Sequence, residues 1–182
     1  MGATRRPLRD DVVLRPVRED DVTALSEPPS AYGDHGPHAP PSPADTMSLE
    51  SGGRLCVVAG GEVAGTVSWV WMRWGGTGPS SSPVIGIELL GGARGRGVGS
   101  AAQWRLVDLM FRHTGTHRVQ AGTETTNVAE QRALERIGMR REGTVRGSHW
   151  RDGAHRDLDL YAILRPEWAA LSGHDAPLPS DG

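Results

Sequence analysis

Two rhythms of apolar residues run along the chain. Short β-branched or alternating runs mark strands, and apolar positions three and four residues apart mark helices. Val12–Val17 predicts a first strand, with Pro16 confined to its end. Arg18–Leu25 follows with acidic residues where a helix begins and is predicted as a helix. Leu55–Ala59 and Glu62–Arg73 read as two strands joined by Gly60-Gly61, a tight hairpin signal. In the second strand Val67, Trp69, Trp71 and Arg73 share one face, and Val70 and Met72 take the other. The two tryptophans are expected in the core beneath a helix, with the lining of a pocket as the alternative. Arg118–Gly122 predicts a further strand, and Arg141–Trp150 and Ala154–Leu164 predict two more around the turn Arg151-Asp152-Gly153.

The pattern changes most sharply at residues 83–112. Val84–Leu90 is a β-branched apolar run, Gly91–Gly99 is glycine-rich, and Ser100–Arg112 carries Trp104, Val107, Leu109, Met110 and Phe111 at helical spacing. Strand, glycine turn and helix in that order make an anion site. Glycines let the backbone approach a ligand, and the helix start adds free N–H groups and a positive dipole end. Arg94 and Arg96 add two forked cations. The predicted chemistry is a pyrophosphate cradle made of Arg94, Gly95, Arg96, Gly97, Val98, Gly99 and Ser100. A second helix is expected over Asn127–Gly138, with Asn127 as N-cap, Glu130 as capping-box acid and Gly138 as terminator.

Composition narrows the choices. At 182 residues the chain is long enough for one domain with a substantial core. A net charge of −2 leaves no electrostatic footprint for nucleic acid or an anionic membrane. All 20 basic residues are arginine, so a P-loop, which needs a lysine after its glycines, is excluded. Cys56 is the single cysteine and sits in an apolar run, so neither an internal disulfide nor a thiolate metal site is expected. His35 and His38 lie in a segment without further ligands at useful spacing, and no metal is expected there. No signal or membrane segment is evident, and a cytoplasmic location is expected. Residues 1–10 read as a disordered lead, residues 11–168 as the domain, residues 28–50 as a proline-rich loop that is either a lid or disordered, and residues 169–182 as a disordered tail.

Two readings of the glycine turn stay open on the residues alone. Gly97-Val98-Gly99-Ser100-Ala101-Ala102 fits a dinucleotide fingerprint, with Glu124 near the spacing of a ribose ligand, although too little chain follows for the remaining βαβ units. Arg94, Gly97 and Gly99 also fit the Arg/Gln-x-x-Gly-x-Gly/Ala pattern of an acyl-CoA loop. Here the sequence resembles the GNAT superfamily of N-acetyltransferases. The opening LRPVREDDVTAL, Asn127 followed eleven residues on by Gly138, and the ending REGTVRG to RPEW extend the likeness over about 12–168. In the Asn127–Gly138 signature Met139 stands where an aromatic residue is usual, and the closing hairpin resembles the branch that acetylates ribosomal-protein N-termini.

The resemblance implies an α/β (α+β) fold: a mixed, mostly antiparallel sheet of about seven strands, splayed at its centre and flanked by helices. It implies direct acetyl transfer from acetyl-CoA, as co-substrate, to a small-molecule amine or a protein N-terminus. Backbone at Glu88, Leu89 and Leu90 would bond the pantetheine arm, the glycine turn would hold the pyrophosphate, and Asn127 would meet the cofactor from the other side. Glu88 and Asp157 are the candidate bases. Tyr161 is a candidate for the acid that returns a proton to the thiolate, because the usual tyrosine and serine positions hold Leu134 and Glu130. A protonated Glu130 or water are the other options. These departures keep a second expectation alive, a catalytically silent acyl-CoA-binding module. A homodimer paired through the closing strands is also left open.

Overall fold

The computed structural model describes residues 8–26, 32, 41–43 and 48–173. Among them seven strands build one sheet: β1 (Val12–Arg15), β2 (Gly52–Ala59), β3 (Glu62–Arg73), β4 (Ser81–Leu89), β5 (Arg118–Glu124), β6 (Arg140–Arg151) and β7 (Ala154–Leu164). Four helices accompany it: α1 (Val22–Leu25), α2 (Val98–His113), α3 (Val128–Arg136) and α4 (Arg165–Ser172). The strand order is β1-β2-β3-β4-β5-β7-β6. Every neighbouring pair is antiparallel except β4 and β5, which run parallel because α2 carries the chain back across the sheet between them. This is the mixed, mostly antiparallel architecture expected from the sequence.

The core lies between the sheet and α2. Ala102, Leu106, Val107, Met110 and Phe111 of α2 are at most 1% exposed and join Val57, Val67, Trp69 and Val119 in one apolar cluster. Trp69 settles in that cluster, and Trp71, partly buried, packs against it. Their ring nitrogens also hold the chain entering β2: Trp69 donates to the Ser48 carbonyl at 3.1 Å and Trp71 to that of Leu49 at 2.7 Å. At the far end of α2, Arg165 is 4% exposed and donates to the carbonyls of Phe111, Thr114 and Thr116 at 2.7–2.9 Å. A helix C-terminus leaves carbonyls without partners and carries partial negative charge, so this buried cation satisfies both needs. Burial lowers the guanidinium pKa without bringing it near neutrality.

Four expectations change. The predicted helix at 18–25 is a 3-10 turn over Glu19–Asp21 followed by one turn of α1. Asp21 is the reason: its carboxylate binds the Arg15 guanidinium at 2.5 and 2.8 Å and the Arg18 amide at 2.8 Å, which fixes a tight turn. The tail starts later than residue 169, because α4 continues to Ser172 and closes on Gly173 at φ 72°. Leu171 there fills the space that a side chain at Gly138 would occupy. The lead ends earlier than residue 10. Leu8 packs against the core, Arg9 pairs with Asp11 at 2.5 Å, and the Asp10 carbonyl accepts from Arg105 at 3.0 Å. Finally, Glu130 does not close a capping box: the Asn127 amide donates to the Glu124 carbonyl at 2.9 Å instead. Most of the proline-rich loop, with His35 and His38, and residues 174–182 lie outside the described residues. Among the described residues no helix is long and apolar enough to cross a membrane, and no cluster of His, Cys, Asp and Glu could hold a metal ion.

The Arg15–Asp21 pair predicts an acid limb in stability. Asp21 is 3% exposed, and the Arg15 hydrogen bond brings its pKa from 3.8 to about 2. A depressed carboxylate stabilises the fold above its unfolded pKa and ceases to do so as pH falls through its folded value. Arg15 keeps 21% of its side chain in water, so screening holds the contribution to about 1 kcal/mol. Denaturant titration of Asp21→Asn should therefore converge with wild type between pH 4 and pH 2 and diverge above it. Parallel curves from pH 7 to pH 2 would contradict this assignment.

Candidate active site

The centre of the sheet comes apart. Strands β4 and β5 pair only at Val84–Gln120 and Ile85–Ala121. Beyond that point β4 stays with β3 to Leu89, and β5 stays with β7 to Glu124. The edge of Gly86–Leu89 that faces β5 therefore has no strand partner, and its backbone groups are available to a ligand. Gly65 of β3 lets β4 lean away. At φ 146° it adopts a backbone that favours glycine, and a side chain there would fall 2.8 Å from the Leu89 Cα.

The glycine turn stands at the tip of the β4 arm. Gly91–Ala93 form a 3-10 turn, Gly95 and Gly97 have φ of 71° and 78°, and Gly97 caps the start of α2. A side chain added at Gly91, Gly92 or Gly95 would meet no atom within 4 Å, so the turn is an open cradle. The first amides of α2, at Val98, Gly99 and Ser100, face it without partners in the helix. Arg94 turns back: its Nε and Nη2 donate to the Leu89 carbonyl at 2.9 and 2.7 Å, tying the turn to the strand. Arg96 is exposed, and its carbonyl accepts from Arg9 at 3.4 Å. The donor set fits a polyphosphate: backbone amides at a helix start with two arginines beside them.

Asn127 caps α3 as expected, its Oδ1 accepting from the Glu130 amide at 3.3 Å. The Glu130 carboxylate crosses to α2, where Gln103 lies 3.5 Å from it and also donates to the Gly99 carbonyl at 3.3 Å. Burial pushes the Glu130 carboxyl up to about 7, and the Gln103 hydrogen bond opposes this only in part.

The candidate side chains divide between the two faces of the sheet. Ile87 and Leu89 point towards Gly99 of α2, so Glu88, between them, points to the opposite face. There the Glu88 Oε1 is buried and has no hydrogen-bond partner among the described residues. Tyr161 and Asp159 stand opposite Ala121 and Thr123 on the helix-covered face. Tyr161 is 1% exposed with its hydroxyl 3.5 Å from Glu135 of α3, and burial raises its pKa. Asp159 is bound by Arg141 and Thr144 at 2.7 and 2.6 Å, and that arginine holds its carboxyl below the usual range. Asp157 is exposed and accepts the Gly147 amide at 2.8 Å in the β6 bulge. The structure thus brings Glu88, Leu89, Leu90, the glycine turn and Asn127 around one gap, and leaves Asp157 and Tyr161 outside it.

One cluster was not foreseen. Glu124, at the tip of the β5 arm, is 5% exposed and accepts both Nε and Nη2 of Arg151 at 2.5 and 2.9 Å. His149 lies 3.9 Å from the same carboxylate, and the Tyr32 ring covers the Arg151 guanidinium at 5.1 Å. Tyr32 also donates to the Thr126 carbonyl at 3.0 Å. Glu124, which a dinucleotide reading would place on a ribose, is already committed. Its acid type at a strand end was visible in the sequence, but its partner 27 residues away was not.

Comparison with known proteins follows the same lines. A family model described as an acetyltransferase (GNAT) domain matches residues 11–140. Probable N-acetyltransferase YjcK of Bacillus subtilis is 32% identical over 83 residues, which is 46% of this chain and 46% of that protein. The chain thus matches about half the length of this curated relative. Spermidine N-acetyltransferase from Vibrio cholerae, solved with CoA and spermine, superposes with a TM-score of 0.69 at 16% identity, over 88% of this chain and 99% of that one. RimJ of Mycobacterium smegmatis, solved with CoA-disulfide, gives 0.65 at 22% identity over 89% of each. At these identities both structures speak to the fold.

Arg151 is predicted to hold the β5 arm through Glu124. Arg151→Met strands a buried carboxylate and should lower the urea midpoint, whereas adding Glu124→Gln should restore much of the loss. Losses that simply add in the double variant would show that the two side chains do not act as a pair.

Proposed function

Because the chain belongs to the acetyltransferase (GNAT) domain family, we propose that it moves an acetyl group from acetyl-CoA to a primary amine. The observation that carries this reading is the break between β4 and β5 with the glycine cradle at its tip. A pantetheine arm is a chain of amides, and the unpartnered edge Gly86–Leu89 offers it a strand to pair with. The amides of Gly95 to Ser100 would take the pyrophosphate, with Arg96 beside it and Arg94 fixing the turn. Asn127 and the α3 start would border the cofactor on the β5 side. Acetyl-CoA would supply the activated acyl group, and an amide of the β4 arm would polarise its carbonyl.

Glu88 is the proposed base. A lysine-type amine has a pKa of about 10.4 and a chain terminus about 7.7–8, so the nucleophile must shed a proton on arrival. The Glu88 Oε1 is buried with no hydrogen-bond partner among the described residues, on the face away from α2 and α3. An amine entering from that face would meet it. Asp157 was the other candidate base and Tyr161 the candidate acid. Asp157 accepts the Gly147 amide in the β6 bulge and Tyr161 reaches Glu135 beneath α3, which favours Glu88 for this role.

The solved neighbours suggest what to try as acceptor. One is named for spermidine, and the resemblance of the closing hairpin to the ribosomal-protein-alanine branch adds a peptide beginning with alanine, so these two are suitable probes. Mass spectrometry after incubation with acetyl-CoA should detect an added acetyl group on one of them. Gly97→Val forces a β-branched residue to φ 78°, at a strain of about 1–2 kcal/mol, and crowds the cradle. It should weaken CoA binding in calorimetry by at least about tenfold. CoA binding without transfer to either probe would favour a silent acyl-CoA-binding module. Unchanged CoA affinity in Gly97→Val would sink the placement of the cofactor.

A further inference from the structure

We propose that Glu130 is the acid that returns a proton to the departing thiolate. The inference rests on the transferase reading above. It starts from the shape of the gap. The first turn of α2 stands on the β4 arm, with Gly99 against Ile87 and Leu89, and α3 grows from the β5 arm through Asn127. The contact of Glu130 with Gln103 joins these two helix starts. Gln103 is 1% exposed and is anchored on the Gly99 carbonyl, so the carboxyl is held between the starts of α2 and α3. A thioester lying between the arms meets Glu130 on that side and Glu88 on the other.

The remaining groups near the gap do not serve. Leu134 has no proton to give and is fully buried. The Tyr161 hydroxyl is directed at Glu135 beneath α3. Glu124 is ionised and bound to Arg151. The charged side chains of α2, Arg105, Asp108 and Arg112, line its outer groove with Leu8–Asp10, and only neutral Gln103 faces Glu130 from that helix. With the capping role absent as well, the Gln103 amide is the side-chain partner of the Glu130 carboxyl among the described residues.

The step balances. The amine nitrogen bonds to the acetyl carbon as the C–S bond breaks, and the bonding pair leaves on sulfur. Glu130 gives its proton to that sulfur and ends as a carboxylate, while the proton shed by the amine passes to Glu88 or water. Solvent then restores both carboxyls. A carboxyl that titrates at about 7 is half protonated at neutral pH, and an alkyl thiolate, whose thiol titrates at about 8.5, is the stronger base, so the transfer runs downhill.

Glu130→Gln keeps the shape and the amide contact but has no acidic proton. With acetyl-CoA and the probe amines, its kcat should fall by roughly 10²–10⁴-fold while CoA affinity stays within about twofold. Wild-type kcat should decline as pH rises through 7, and this limb should vanish in Glu130→Gln. Glu130→Asp should regain part of the rate. Carbon-13 NMR of glutamate-labelled protein without CoA should contain one carboxyl titrating near 7 that is absent from Glu130→Gln. A variant as active as wild type with the same pH profile, or a Glu130 carboxyl titrating in the ordinary range, would overturn the proposal alone. A wild-type protein that transfers acetyl to neither probe would remove the enzyme reading together with it.

Discussion

The structure depends on a sheet that stops pairing at its centre. Two residue pairs join β4 to β5, and the arms then part. An unpaired strand edge inside a protein is normally costly, since each buried N–H or C=O without a partner loses about 1–3 kcal/mol. The fold keeps the opening by bracing each arm from outside. Gly65 accepts the close approach of β4, Arg94 ties the glycine turn to Leu89, and Arg151 grips Glu124 at the tip of β5. Each brace acts on an arm of the gap.

The helices follow from the same geometry. A parallel pair needs a crossover, and α2 provides it while bringing its positive end to the tip of β4. Its negative end is met by the buried Arg165 on α4, which explains why the chain continues in order past the last strand. The candidate site lies beside two helix starts, that of α2, which favours anions, and that of α3, whose Glu130 reaches Gln103 of α2.

Much of this was legible in the sequence. The limits of β3 and β7 and the strand–glycine turn–helix order could be read directly, because alternation and glycine placement are local signals. The likeness to acyl-CoA loops supplied the splay, which no local pattern encodes. What could not be read are the long-range pairings. Asp21 turns a helix prediction into a 3-10 turn through Arg15, six residues away, and Glu130 leaves its cap for Gln103, 27 residues away. Glu88 and Asp157 were candidate bases and Tyr161 a candidate acid, and strand register and a bulge put the three in different surroundings. Side-chain type survives in a sequence, but the face it occupies depends on pairing.

The central claim is that the gap between the arms holds acetyl-CoA. Amide hydrogen exchange with and without acetyl-CoA tests this directly. Protection confined to residues 86–90, 95–100 and 127–131, with β1 and β2 unchanged, is the predicted result. Binding of acetyl-CoA that leaves residues 86–90 exchanging as before would contradict the account, because the unpaired edge of β4 would then have found no partner.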